Sequence, residues 1–286
     1  MSDQAPDRQR LKDDQRRDWD AAAAGWRKWW PIFERAAQHV SDRLVDLAGI
    51  KPGSRVLDVA TGNGEPAVTA ARRVGANGRV IATDQAAGML AIARERASAL
   101  GIANIEFRES DGESLSITER EFDAITCRWG LMFMPDIDSA LRGLYDRLVP
   151  GGRIATAVWS TGDKVPMITI GADAVRRLAG LPPPPPGALE PTRLADASIL
   201  TSALERAGYK DVSVERRAVT FEIDSPAAFA QFREEVSGPF RALLSRQTPE
   251  MRQKILDAVT EAARAYVGAD GKMRTTNETI LFAARR

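Results

Sequence analysis

The strongest constraint on the fold is an alternation. From Arg55 to Trp159, short runs rich in Val, Ile and Ala take turns with longer segments of helical periodicity. "RVLDVA" reads as a strand and "EPAVTAARRVG" as a helix, and "RVIATD" with "AAGMLAIARERASALG" repeats the pair. "NIEFRES" and "FDAITCRWG" add two strands, and the helix in "DIDSALRGLYDRLVPGG" leads into "RIATAVW". Strands that are apolar on both faces, separated by helices long enough to cross back, specify a mostly parallel sheet covered on both sides, with right-handed crossovers. Strand character returns in "DVSVERRAVTFEI" and "KMRTTNETILFAARR", so the predicted architecture is α/β with seven strands.

Around that sheet the chain divides into six stretches. Residues 1–50 read as an N-terminal helical cover, 51–160 as the core, 161–200 as an inserted cover, 201–224 as a continuation of the core, 225–270 as a second helical cover and 271–286 as the last strand. Residues 1 to about 16 are polar and are expected to be mobile. Trp19 to Ala48 is helical in pattern, with a break or helix start expected at Pro31. The "LPPPPPGALEP" run favours an extended polyproline conformation and is expected to act as a stiff connector in the inserted cover, with partner recognition as the alternative.

Composition narrows the function. A chain of 286 residues that is 44% hydrophobic encloses a full core. Its formal charge of +1 gives no support for a nucleic-acid partner. A single cysteine, Cys127, excludes an intrachain disulfide and any multi-cysteine metal site. With no apolar leader and no run of about 18 apolar residues, a cytoplasmic protein without membrane insertion is expected.

The stretch "VLDVATGNGEPAV" raises the question of a ligand. Glycines after a strand let backbone approach a bound molecule, and the next helix offers unpaired N–H groups and a positive end. "TGNGE" lacks the Lys-Ser or Lys-Thr that closes a phosphate-binding loop, and "DVATGNGE" departs from the dinucleotide fingerprint. Asp58, just before the turn, suits an ammonium group better than a pyrophosphate. Asp84 ends the second strand, where a carboxylate can accept bonds from two vicinal ribose hydroxyls. Amino-acid-like and nucleoside-like recognition thus lie side by side.

Taken in order, "VLDVATGNG", "VIATD", "FRESDGESL", "FDAITCRWGLMFMPD" and "LVPGGRIATAVW" resemble the motifs of class I S-adenosylmethionine-dependent methyltransferases. Within that class they resemble the ubiquinone and menaquinone C-methyltransferase branch and its small-molecule relatives. The resemblance implies a Rossmann-like sheet with helical active-site covers and S-adenosylmethionine as cofactor. It implies that Asp58 and the turn Ala60, Gly62 and Gly64 face the methionine part, with Ala60 standing where the family often has glycine. Asp84 is then expected at the ribose, Gln85 and Met89 on the ribose and adenine side, and Asp111 with Gly112 at the adenine edge. Cys127 and Arg128 are expected near the methionine part, and Trp129, Gly130 and Leu131 toward the transferred methyl.

For the acceptor, Met132 and Phe133 occupy the positions where quinone-methylating members resemble Arg-Asn, which makes the pocket more apolar. With Trp26, Trp29, Trp30, Trp129, Phe229 and Phe232 they favour a flat or bulky hydrophobic acceptor, an aromatic or natural-product small molecule. Methyl transfer from a sulfonium needs alignment and dryness more than acid–base machinery, so proximity is the expected mechanism. His39, the only histidine, is the candidate base should one operate. No metal is called for. Two other functions stay open at this stage: C-methylation of a quinone-like ring, and a non-methylating reaction on the same cofactor-binding fold. The Trp-rich N-terminal segment also suits contact between copies of the chain in a homo-oligomer.

Overall fold

The computed structural model describes residues 8–181 and 188–286; the proline run expected to form a stiff connector lies outside the described residues. In chain order the elements are α1 (Arg8–Leu47), β1 (Arg55–Val59), α2 (Ala67–Val74), β2 (Arg79–Asp84), α3 (Ala87–Ala99), β3 (Ile105–Glu109), β4 (Phe122–Arg128), α4 (Ile137–Tyr145), β5 (Leu148–Trp159) and α5 (Pro166–Ala179). They continue with α6 (Ala197–Arg206), β6 (Lys210–Ile223), α7 (Pro226–Val236), α8 (Gly238–Ser245), α9 (Pro249–Ala263) and β7 (Met273–Arg285).

The seven strands make one sheet in the order β3-β2-β1-β4-β5-β7-β6. Neighbours from β3 through β5 pair in parallel, and β7 runs antiparallel to both β5 and β6. Val56, Leu57 and Val59 of β1 are wholly buried, as a strand covered on both faces requires. Sequence order reverses between β1 and β4, where connections leave in opposite directions and open a crevice at the carboxyl ends of the strands. Register sets Asp58 beside Ala82 of β2 and Thr126 of β4 at that crevice.

Three cover helices announce their own starts. Ser225, Ser237 and Thr248 each accept a bond from a backbone N–H three residues on, and each helix carries proline in its first turn. Such caps satisfy donors that a helix start leaves unpaired, and proline there lacks the N–H that would otherwise need a partner.

The N-terminal helix departs from expectation in two ways. It begins by Arg8, so residues 8–16 belong to a helix, and it runs unbroken through Pro31 to Leu47. An interior proline forfeits one backbone bond and costs about 3 kcal/mol. Packing offsets that cost, since Phe33, Ala36, Ala37, Val40 and Leu44 beyond it are all buried. Polar contacts anchor the other half: Lys12 pairs with Asp111 and Glu113, Asp20 Oδ1 accepts the Gly88 N–H at 2.8 Å, and Trp26 Nε1 donates to the Val236 carbonyl at 2.9 Å. Gly25 lets α1 cross α7 closely; a Cβ there would lie 2.1 Å from the Glu235 carbonyl oxygen. No described helix is long and apolar enough to cross a membrane.

Candidate active site

The β1 strand ends in a turn built from left-handed residues: Ala60 has φ 54°, Gly62 φ 56° and Gly64 φ 98°. Glycine takes such angles freely, whereas alanine holds them at a cost of roughly 1–2 kcal/mol. Asp84 ties the turn down. Its Oδ2 accepts the Gly62 N–H at 2.8 Å and its Oδ1 the Ala86 N–H at 2.9 Å. Burial pushes the Asp84 carboxyl up to about 6, against the pull of those N–H groups.

Beneath the turn lies Asp58, with no exposed surface. Its Oδ1 accepts the Thr126 hydroxyl at 2.6 Å. Its Oδ2 and Asn63 Nδ2 are buried without a full hydrogen bond among the described residues, and the buried Thr61 hydroxyl, also short of one, lies toward the same carboxyl and pulls against the effect of burial. Burial pushes the Asp58 carboxyl up to about 7, the Thr126 hydroxyl opposing. Unsatisfied buried polar atoms are costly. Three together, one from β1 and two from the turn after it, mark a place prepared for a polar ligand.

Two cavities meet above these residues. One is a cleft lined by Asp84, Gln85, Met89, Ser110, Asp111 and Gly112, with Lys12, Gln15 and Trp19 of α1 along its other side. The second is a chamber walled by Trp26, Phe33, Trp159, Met167, Ile168 and Val236, with Glu65, Arg128 and Arg233 also in its lining. Trp19, Ala60, Trp129 and Phe133 line both, so the two spaces share a wall. Trp129 sits there in a left-handed conformation, φ 59°. Its ring stacks on Trp159 with centroids 4.2 Å apart and its Nε1 donates to Thr279 Oγ1 at 2.9 Å. Strain of this kind persists where surroundings over-determine a residue, and it concentrates at functional sites. Phe133 meets the Trp19 ring edge-on at 5.3 Å.

Of the residues singled out for the cofactor, Ala60, Asp84, Gln85, Met89, Asp111 and Gly112 line the cleft and Arg128 lines the chamber. Asp111 already has partners: its Oδ2 takes Lys12 Nζ and the Ser114 hydroxyl, each at 2.7 Å, and its Oδ1 takes the Glu113 N–H at 3.0 Å. Burial would raise the Asp111 carboxyl, but these donors hold it below the ordinary range. Gly62 and Gly64 shape the turn and do not line either space. Cys127 is wholly buried, and burial pushes its thiol up to about 12. It is a packing residue under Gly130. Arg128 donates to Ser41 Oγ at 2.7 Å, and burial pulls its guanidinium down to about 10.

The acceptor residues need larger corrections. Trp26, Trp129 and Phe133 line the chamber. Met132, Phe229 and Phe232 have no exposed surface and pack into the core. Trp29 turns its indole N–H to the Glu235 carboxylate at 2.5 Å and its ring edge to Phe232, while Trp30 lies under the Arg96 guanidinium at 3.5 Å. Neither faces the chamber. His39 is exposed and lines neither cavity; its Nε2 lies 3.0 Å from the Ala218 carbonyl oxygen, an acceptor, so that nitrogen carries the proton. It is corrected from catalytic base to a surface link between α1 and β6.

Lys12, Gln15, Trp19, Phe33, Trp159, Met167 and Arg233 line the site without having been foreseen. A signal existed for the first four. Lys12, Gln15, Trp19, Trp26 and Phe33 follow spacings of three, four and seven, which place them on one face of a continuous helix.

The chain is similar to known methyltransferases. Residues 36–169 match the model of the ubiE/COQ5 methyltransferase family. A ubiquinone/menaquinone biosynthesis C-methyltransferase UbiE from Ectopseudomonas oleovorans is 35% identical over 135 residues, 47% of this chain and 74% of that protein. The protein of the same name from Pseudomonas entomophila (strain L48) is 34% identical over 142 residues, 49% of this chain and 52% of its own length. The chain thus spans about half the length of several curated relatives it matches. Among solved structures, Haemonchus contortus phosphoethanolamine N-methyltransferase 2 in complex with S-adenosyl-L-methionine superposes with a TM-score of 0.58 at 19% identity, covering 93% of this chain and 57% of that one. At that identity the likeness speaks to the fold.

Proposed function

This chain belongs to the ubiE/COQ5 methyltransferase family, and on that premise we propose that it transfers a methyl group from S-adenosylmethionine to a hydrophobic, aromatic small molecule. One observation carries the reading: a cleft at the ends of β1 and β2, with Asp84, Gln85 and Asp111 in its wall, shares Trp19, Ala60, Trp129 and Phe133 with a chamber walled by Trp26, Phe33, Trp159 and Val236. That is the layout expected of a charged donor and a greasy acceptor brought to one point.

The unpartnered atoms of β1 and the turn after it fit the donor. Asp58 Oδ2 would take an ammonium group, and Thr61 Oγ1 and Asn63 Nδ2 would serve the rest of an amino-acid end. Asp84 would hold the ribose hydroxyls with its remaining lone pairs, while Gln85, Met89 and Gly112 would border the nucleobase. When bound, S-adenosylmethionine supplies a methyl group already activated by positive sulfur. The protein's share is then alignment and exclusion of water: Trp19, Trp129 and Phe133 close the shared wall, and Trp26 and Phe33 dry the chamber. Neither Cys127, held neutral, nor His39, outside the cavities, offers a base.

Turnover with trideuteromethyl-labelled S-adenosylmethionine and a panel of aromatic acceptors tests this, read by mass spectrometry. The expected result is one labelled methyl on the acceptor for each S-adenosylhomocysteine formed. An acceptor converted without label, the donor unchanged, would establish the non-methylating alternative. A second reading, C-methylation of a quinol ring, is favoured by the names of the relatives; label fixed on a ring carbon of a 1,4-naphthoquinol would support it.

A further inference from the structure

The chamber contains a charge that its apolar walls do not explain. Arg233, on α7, is 6% exposed and lines the chamber. Among the described residues it has neither an ion pair nor a side-chain hydrogen bond, and its Nε is buried without a partner. The ring centre of Phe240 lies 6.0 Å from the guanidinium carbon. The two acids that follow it on α7 are committed elsewhere: Glu234 pairs with Arg252, and Glu235 pairs with Lys28 at 2.9 Å. Glu65, the one acid among the described residues lining the chamber, is held by Arg96 at 2.9 Å and by the Thr69 hydroxyl at 2.6 Å.

The contrast with Arg128 sharpens the point. Burial pulls both guanidiniums down to about 10, but Glu65 and Asp58 oppose the shift at Arg128, and no neighbouring charge does so at Arg233. A buried cation without a counter-charge is expensive to keep. Arg233 also sits beside the start of α8, whose Ser237 and Pro239 share the chamber wall and whose N-terminus adds positive potential. Planar guanidinium in apolar surroundings is well suited to gripping a pair of oxygens.

We propose that Arg233 anchors an oxyanion, a carboxylate or a phosphate, carried by an otherwise hydrophobic acceptor. This deepens the methyltransferase reading and rests on it for the word acceptor, because the chamber would recognise an apolar body at the shared wall and an anionic group at Arg233. The missing counter-charge would thus arrive with the ligand.

Calorimetric titration tests the assignment with three probes of one shape: 2-naphthoate, 2-naphthyl phosphate and neutral 2-naphthamide, each in the presence of saturating S-adenosylhomocysteine. Wild type is expected to bind at least one of the anions about tenfold or more tightly than the amide, and which anion wins identifies the oxyanion. Arg233→Met should erase that preference while leaving amide affinity within about twofold, and Arg233→Lys should retain part of it. Because it removes an unpaired buried charge, Arg233→Met should also melt at a higher temperature than wild type. Equal or undetectable binding of anions and amide by wild type, or a preference that survives in Arg233→Met, would overturn the proposal. Loss of S-adenosylhomocysteine binding itself would strike the methyltransferase reading, and the same titrations without it would still judge the anion site.

Discussion

The cleft and the chamber share a wall but are made differently. Most of the cleft comes from strand ends and the loops after them, between Ala60 and Pro135, with α1 laid along one side. Chamber residues come from α1, the β1 turn, the ends of β4 and β5 and the turn after β4, α5, the segment before α6 at Pro191, α7 and α8, from Trp19 to Pro239. The cleft is held by backbone N–H groups on carboxylates, as at Asp84, so its shape follows from the sheet. The chamber is held by helix crossings such as Gly25 over Glu235. On the proposed reading, donor binding rests mainly on the strand ends, with α1 closing one side, and acceptor choice mainly on the cover helices, so substitutions in each should move one more than the other.

The largest separable effect is expected at Asp58. Its carboxyl, raised to about 7 in the fold from an ordinary 3.8, binds a proton more tightly folded than unfolded. Stability is thus reduced above pH 7, by about 4 kcal/mol, and this loss is relieved as pH falls toward 4. Asp58→Asn should raise Tm at pH 8, with the gain vanishing near pH 4. Saturating S-adenosylmethionine should cancel most of the gain, since its ammonium would pair with the ionised carboxylate. A Tm difference independent of pH would refute the account of Asp58.

Gly25→Ala should cost about 3 kcal/mol by forcing α1 from α7, a Tm drop of roughly 6–9 °C. It should raise the acceptor KM more than the cofactor Kd, and a drop under about 2 °C would contradict the close crossing. Asp84→Asn should weaken cofactor binding by roughly 100-fold in calorimetry while leaving the Arg233-dependent preference for 2-naphthoate in place. Parallel loss of both would show that the two spaces are not separable. The smallest effect is expected at Lys12→Met, which unpairs Asp111 and Glu113 and should loosen the cofactor about fivefold, mainly through faster release in stopped-flow measurements.

How much of this was legible in the chain follows the same division. Parallel strands, the left-handed turn and Asp84 are local: an apolar run, a glycine pair and a carboxylate at a strand end state their roles within a few residues. Arg233 carries no such signal, because its meaning depends on which acids are already taken by Arg252 and Lys28. Trp29 and Trp30 misled for the converse reason. They sit on the same helix as Trp26, yet Glu235 and Arg96 draw them away from the chamber. Phe229 and Phe232 were claimed by the core, since aromatic spacing alone does not tell an inward face from a pocket face. Residues 8–16 look like a solvated tail until α1 is known to run through Pro31, at which point Lys12, Gln15 and Trp19 fall in line with Trp26.

A crystal structure with S-adenosylhomocysteine is the decisive measurement. The ribose is expected on Asp84, the amino group toward Asp58 and the sulfur at the wall formed by Ala60, Trp129 and Phe133, facing the chamber. An occupied cleft whose sulfur points away from that wall, or a ligand bound outside the cleft, would contradict that placement.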